Sequence, residues 1–359
     1  MTSPTEPRRA AIVGVGLIGG SIGMGLRRAG WHVTGSDRRD EVAKRAEALG
    51  ALDAVGLDPG AALTVVATPV AAIPATALEA LRRGTGAVTD VAGVKASVVG
   101  AVRNPRFVGG HPMAGSEADG IEGADADLFA GAVWVLTPTA DTDPDAYATV
   151  HGAVKDLGAD VVTMDPERHD AMVAVVSHVP HLTAAALMTI AASHAADEQG
   201  PLLRLAAGGF RDMTRISAGR PDIWPDVCAD NAEAITTVLD ELMAELARLR
   251  AAVAGDRRGD ILDALERARA ARLALPAKGT RRAAEVVEVR IPVLNRPGAM
   301  LEVAALATDL GINLEAIETA DATEYDEGLI VTVVDAGAAP RFREALAAKG
   351  YRAIVREIG

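Results

Sequence analysis

At 359 residues the chain is too long for one ordinary hydrophobic core and implies two or three domains. It is 49% hydrophobic with a net charge of -13, which fits a globular protein and argues against nucleic acid as its main partner. Residues 1–9 read as neither signal peptide nor anchor. No run approaches the roughly 20 apolar residues of a membrane span, and the single cysteine, Cys228, fits a reducing, cytoplasmic compartment.

An apolar run over 10–15 leads into Gly14-Val15-Gly16-Leu17-Ile18-Gly19-Gly20-Ser21, followed by a helix over 22–29 and a strand over 31–35. Strand, glycine turn, helix, strand and acid together predict a dinucleotide site. Gly14 permits the tight turn, Gly16 clears the path to a pyrophosphate and Gly19 lets the helix pack closely. Leu17 and Ile18 lie at the turn itself. Asp37 stands where a carboxylate binds ribose hydroxyls, which favours NAD over NADP; Arg38 and Arg39 keep a 2′-phosphate in play. Strands over 63–67, 87–91, 106–110, 132–136 and 160–164 alternate with helices to about 83 and over 143–157. This predicts an α/β domain over 8–165, a doubly wound Rossmann-type parallel sheet covered on both faces. Thr68 and Pro69 at the end of one strand and Asp90 on the next fall beside the cofactor site.

From 166 to 275 the pattern is helical: 167–196 interrupted by Pro180, 231–253 with apolar residues at three- and four-residue steps, and 260–273. Such an all-α domain must bury its stripe against itself or a second subunit, so a homodimer is expected. Residues 274–284 read as a linker. The order βαββαβ over 285–359 predicts a ferredoxin-like module.

Four clusters could carry chemistry. His111 follows Gly109-Gly110 at the expected end of a strand and precedes Pro112, Ser116 and Glu117, a proton acceptor beside its own turn. Ser177 and His181 share a helix face around Pro180, with His178 between them; no third ligand accompanies the histidines, and no metal is expected. Arg211, Asp212 and Arg215 follow a diglycine and suit a multiply anionic small-molecule substrate, with Trp224 beyond. Asp90 and Lys95 form the fourth cluster.

Residues 14–21 (GVGLIGGS), 89–95 (TDVAGVK), 109–117 (GGHPMAGSE), His169-Asp170, 177–181 (SHVPH) and 208–216 (GGFRDMTRI), with Trp224, resemble the prephenate and arogenate dehydrogenases of tyrosine biosynthesis. The C-terminal module looks like an ACT regulatory domain, in which Asn295, Arg296, Pro297, Gly298 and Ala299 are similar to the effector loop. The resemblance implies oxidative decarboxylation of prephenate with NAD, with tyrosine as effector. His111 would take the proton of the substrate's ring hydroxyl. Arg215 would pair with a carboxylate, assisted by His181. Arg211, Ser177, Ser116, Glu117, Lys95 and Asp212 would line or tune the substrate site, and Trp224 would pack across the dimer. Relatives commonly carry a serine two residues before the motif lysine, where this chain has Gly93. Alternatives are arogenate or dual-specificity activity, a β-hydroxyacid dehydrogenase, and a silent sensor of NAD and an amino acid.

Overall fold

A computed structural model describes residues 7–115, 118–197, 205–275, 286–294, 296, 298–314, 316–321 and 327–357. The chain divides into two compact units, Met1–Ala251 and Ala252–Gly359. The expected dinucleotide domain and most of the helical segment fall together in the first.

The first unit is built on an eight-stranded sheet of β1 (Arg9–Val13), β2 (His32–Ser36), β3 (Ala54–Val55), β4 (Leu63–Val66), β5 (Ala87–Asp90), β6 (Phe107–Pro112), β7 (Val133–Thr137) and β8 (Asp160–Thr163), in the order β3-β2-β1-β4-β5-β6-β7-β8. The first six strands are parallel. The chain reverses direction across the sheet between β1 and β4, and a doubly wound sheet binds its ligand at such a crevice. The apolar strand residues Ala10, Ile12, Val33, Leu63 and Val65 are buried against Ile22 and Leu26 of helix α1 (Leu17–Arg28). That helix starts five residues before the predicted position, so Leu17 and Ile18 supply its first turn. Helix α2 (Asp40–Ala48) occupies a segment whose apolar content is too low for a clear periodic signal. Helix α3 (Ile73–Arg83) buries Ile73, Ala77 and Leu81, one per turn.

Two expectations about this sheet need correcting. It is not wholly parallel: β6 pairs antiparallel with β7, and β8 then runs parallel to β7. A parallel return needs a crossover of a dozen or more residues, usually a helix, and between β6 and β7 the described residues hold only the short turn Ile121–Gly123. Between β7 and β8 lies α5 (Pro144–Asp156), so that step is parallel, and β8 is largely exposed. Secondly, His111 is not in a turn beyond a strand. β6 continues through it, pairing with β5 up to Val108 and with β7 from Gly109 to Pro112, so His111 faces Val135 across the ladder. Gly109 and Gly110 make that change of partner possible. A Cβ on Gly110 would lie 2.7 Å from the Asp90 carbonyl oxygen, and one on Gly109 would lie 2.5 Å from Thr137 Oγ1.

Beyond the sheet, α4 (Ala96–Ala101) is a short helix that had no periodic signature, and α6 (Pro166–Val173) leads through a π turn, Ala174–His178, into α7 (Val179–Asp197). Pro180 has no N–H to donate; just ahead of it, Val179 bonds back five residues to the Ala174 carbonyl. By length and composition the helix over Pro166–His194 is apolar enough to cross a bilayer, which no stretch was expected to be. Its buried His169, Asp170 and His178 mark one face as protein-facing, while Met172, Val175, Val176 and Ile190 are exposed. Helices α8 (Gly208–Thr214), α9 (Trp224–Asp230) and α10 (Ala232–Ala254) follow, and Ile235 packs with Ala174 and Val179. Cys228 on α9 is half-buried rather than buried.

In the second unit α11 (Arg258–Leu273) precedes a four-stranded antiparallel sheet of β9 (Val286–Leu294), β10 (Ala316–Asp321), β11 (Glu327–Asp335) and β12 (Ile354–Glu357), in the order β10-β11-β9-β12. Helices α12 (Ala299–Asp309) and α13 (Ala339–Ala348) bury Val303, Ala307, Phe342 and Leu346 against Val289 and Ile291. This is the βαββαβ module with ferredoxin-like strand order. Most of the linker segment lies outside the described residues.

Candidate active site

The glycine turn is shaped for a ligand. Gly14 has φ +89° and its absent Cβ would sit 2.6 Å from the Ala67 carbonyl oxygen; a Cβ on Gly19 would fall 1.9 Å from that of Gly14. Both glycines are demanded by the protein's own packing. Gly16 is not: its φ is ordinary and a Cβ there meets nothing within 4 Å. A glycine kept where neither backbone nor packing needs it fits close approach of a bound pyrophosphate, and the N–H groups of α1's first turn point to the same place. Asp37 is fixed beside the turn, accepting from the backbone N–H of Val15 (3.2 Å) and of Arg39 (3.0 Å). Arg38 and Arg39 are exposed. The hydroxyl oxygen of Thr68 is enclosed and lacks a partner among the described residues, a group a bound dinucleotide could satisfy. Pro69 beside it is exposed. These residues fit a dinucleotide.

His111 lies along the same sheet edge, at the end of β6. Its Nδ1 is 2.8 Å from Nε2 of His169 on α6, and Nδ1 of His169 is 2.8 Å from Oδ1 of Asp170. The Asp170 carboxylate also accepts the backbone N–H groups of Lys95 and Ala96, each at 2.8 Å. His169 and Asp170 are buried and were not assigned a role from sequence, although they stand side by side just inside a proline-started helix. On its other side His111 faces Gly93: a Cβ there would lie 3.7 Å from Nε2, so this nitrogen borders space that a side chain at 93 would fill. Burial, above all, and then the nearby His169, Lys95 and His178 hold the His111 imidazole well below the ordinary 6.5. It is therefore neutral near pH 7 and ready to accept a proton.

Lys95 and Asp90, expected beside substrate and cofactor, are engaged with each other and with the backbone. Both are fully buried. The ammonium bonds the Asp90 carboxylate and donates to the Gly110 carbonyl at 2.8 Å. Asp90 also accepts the N–H groups of Ala92 (2.9 Å) and Gly110 (3.1 Å). The contacts recorded for the pair are all to protein groups. The pair clamps β6, one residue before His111, onto the end of β5.

The helical segment closes round the same centre. His178 is buried, and its Nδ1 is 3.1 Å from the Asn231 amide, which also donates to the Asp170 carbonyl at 2.8 Å. Asn231, a polar residue at the head of an apolar helix, was another role the sequence reading missed. Burial pulls His178 and His181 below their ordinary range. His181 stacks on Trp224 of its own chain, with centroids 3.7 Å apart and planes 16° off parallel. Ser177 is half-buried in the π turn. Arg215 is exposed and opens the 3-10 turn Arg215–Ala218. Arg211 and Asp212 are exposed on α8, where Arg211 Nε donates to the Ala206 carbonyl at 3.1 Å. Ser116 and Glu117 lie outside the described residues. Arg220 bonds Asp119 (2.9 Å), from the loop after the His111 motif, and Asp222.

A dinucleotide cradle and a neutral histidine on one edge of a doubly wound sheet define a nucleotide-dependent oxidoreductase. Comparison with known proteins sharpens this. The family model for the prephenate dehydrogenase nucleotide-binding domain matches residues 22–163, and that for the prephenate dehydrogenase dimerisation domain matches 165–267. The Bacillus subtilis prephenate dehydrogenase is 32% identical over 335 residues, 89% of this chain and 90% of that protein. The Zymomonas mobilis cyclohexadienyl dehydrogenase is 34% identical over 281 residues, 75% of this chain and 96% of its own. The crystal structure of A. aeolicus prephenate dehydrogenase in complex with hydroxyphenyl propionate and NAD+ aligns with a TM-score of 0.70 at 30% identity, covering 76% of this chain and 99% of that one. The chain belongs to the prephenate dehydrogenase family.

In the second unit, Arg296 pairs with Glu302 (2.6 Å), which also accepts the Tyr351 hydroxyl (2.6 Å). Gly298, at φ +91°, starts α12, whose first residue is Ala299. Asn295 and Pro297 lie outside the described residues.

Proposed function

We propose that the protein oxidises prephenate with NAD, releasing 4-hydroxyphenylpyruvate, CO2 and NADH. The observation that carries this is the neutral His111 at the cradle edge, with Nε2 bordering open space at Gly93. NAD, when bound, supplies the hydride acceptor. His111 Nε2 accepts the hydrogen bond, and then the proton, of the ring hydroxyl as hydride leaves the same ring carbon. Loss of the ring carboxylate as CO2 returns its electron pair to the ring, and the proton goes back to the oxygen of the phenol. Aromatisation supplies most of the driving force, so positioning is the protein's main task. Arg215 and His181 are assigned the substrate carboxylates, for which His181 must share or leave its stack on Trp224.

The reading is tested by His111→Asn in the full chain: NADH formation should fall by about 10²–10⁴-fold with NAD binding retained, and an unimpaired variant refutes it. Arogenate differs only in carrying an amine where prephenate has a keto group, so rates with both substrates, and with NAD and NADP, fix the preference. We further propose that the C-terminal module is an ACT domain through which tyrosine inhibits, that the exposed apolar residues of the helical segment pair two copies, and that the enzyme works in the cytoplasm. The Arg296–Glu302–Tyr351 cluster beside Gly298 supports an effector loop. An Arg296→Ala enzyme with unchanged tyrosine sensitivity would move the effector site elsewhere.

A further inference from the structure

We propose that His169, held by Asp170, is a positioning residue that fixes the tautomer of His111, with hydrogen on Nδ1 and the lone pair on Nε2. The inference rests on the reading of His111 as the base and says how this chain orients it with a glycine at 93.

The direction of each hydrogen bond follows from the acidic end. Asp170 accepts two backbone N–H groups, one on each oxygen, and among the described residues no acceptor faces it, so it acts as an acceptor toward His169 as well. It can only accept from His169, whose Nδ1 therefore carries the hydrogen. With hydrogen on Nδ1 alone, Nε2 of His169 is an acceptor, and the 2.8 Å contact is donated by His111 Nδ1–H. His111 Nε2 is left with its lone pair, on the side facing Gly93. The rings of His111 and His169 meet edge to face, with planes at 74°, a geometry that serves a hydrogen bond and not a stack.

A serine at 93 could not replace this relay, because its Cβ would stand beside Nε2 and Cε1 of His111, on the opposite edge of the ring from His169. A hydroxyl there would meet the nitrogen that receives the proton; His169 instead acts on the other one. The same chain serves the charged state. When Nε2 takes a proton, the imidazolium keeps its Nδ1 bond to His169, and Asp170 supplies the nearby negative charge. The other groups facing the pair are Lys95 with its partner Asp90, from β5 and the loop after it, and His178 from the π turn, whose Nδ1 is occupied by Asn231.

The test uses the full-length protein. In 15N-histidine spectra at neutral pH, the resonances lost in His111→Asn should show one pyrrole-type nitrogen, assigned to Nδ1, and one pyridine-type nitrogen, assigned to Nε2. The reverse assignment overturns the proposal, as does a doubly protonated His169. In steady-state assays, His169→Leu should lower kcat by about 10²–10³-fold with KM changed only a few-fold. His169→Gln, whose amide oxygen can stand at the Nε2 position, should recover most of that loss, and adding Gly93→Ser to His169→Leu should not. A His169→Leu enzyme with undiminished kcat, or one equally disabled by Gln, overturns it. If the tautomer is as described and neither prephenate nor arogenate is turned over, the relay stands and the assigned function fails.

Discussion

Replacing Lys95 with methionine separates a clamp from a substrate contact. The unbranched thioether keeps nearly the same length and volume, so the cavity contribution is small. Asp90 then loses the one cationic partner it has among the described residues while remaining fully buried, and keeps the N–H groups of Ala92 and Gly110. Breaking a buried pair from one side costs about 3–5 kcal/mol. An escape exists: neutralising an ordinary carboxyl at pH 7 costs about 4 kcal/mol, and at pH 5 only about 1.5 kcal/mol. The unsatisfied Gly110 carbonyl adds about 1–3 kcal/mol if no water replaces the ammonium. A loss of roughly 3–5 kcal/mol at pH 7 is therefore expected. The sign with pH is fixed: the variant's folded state gains by binding a proton, so its deficit against the parent shrinks as pH falls from 7 to 5. Urea unfolding followed by tryptophan fluorescence reads this cleanly, because Trp31, Trp134 and Trp224 all lie in the first unit. The double variant Lys95→Met, Asp90→Asn should recover part of the loss. A deficit under about 1 kcal/mol, accompanied by a raised KM for substrate, would refute the clamp and return Lys95 to the substrate.

The lowered proton affinities of His111, His178 and His181, each caused chiefly by burial, set a second expectation. Below their ordinary 6.5 the unfolded chain binds protons that the folded chain does not, so stability falls as pH drops through and below 6.5; equal urea midpoints at pH 7.5 and 5.5 would contradict this. Gly16→Ala should leave the melting temperature unchanged yet weaken NAD binding at least about tenfold, whereas Gly110→Ala should cost about 1–3 kcal/mol of stability, since its neighbours are the Asp90 carbonyl and the side chains of Thr89 and Trp134. Calorimetric melting and NAD titration of the two variants decide between a ligand-facing and a packing glycine. Asp37→Asn keeps an acceptor for Val15 N–H and removes the charge that opposes a 2′-phosphate, so the NAD-to-NADP ratio of kcat/KM should fall about tenfold or more. An unchanged ratio would assign the selection to Arg38 and Arg39.

Local pattern by itself determined a good deal here. The strand–glycine turn–helix–strand–acid run needs only short-range sterics and backbone hydrogen bonding, so the sequence alone points to Gly14, Gly16, Gly19 and Asp37. The three- and four-residue apolar steps of the long helix and the alternation of 286–293 likewise announce themselves, because periodicity records which face is buried. Tertiary structure alone decided the rest. The direction of β7 depends on what fits between it and β6, and the continuation of β6 through His111 depends on two glycines accepting Asp90 and Thr137 at their backs. Lys95 looked like a ligand group because its motif is shared; only its enclosure shows that the ammonium is bound to Asp90 and the Gly110 carbonyl within the protein. The glycine at 93 left the orientation of His111 open in the sequence. The answer lies 58 positions away, in His169. No local rule links two such residues; they meet because helix α6 presents its first turns to the loop at the end of β5, where the backbone of Lys95 and Ala96 holds Asp170 in place.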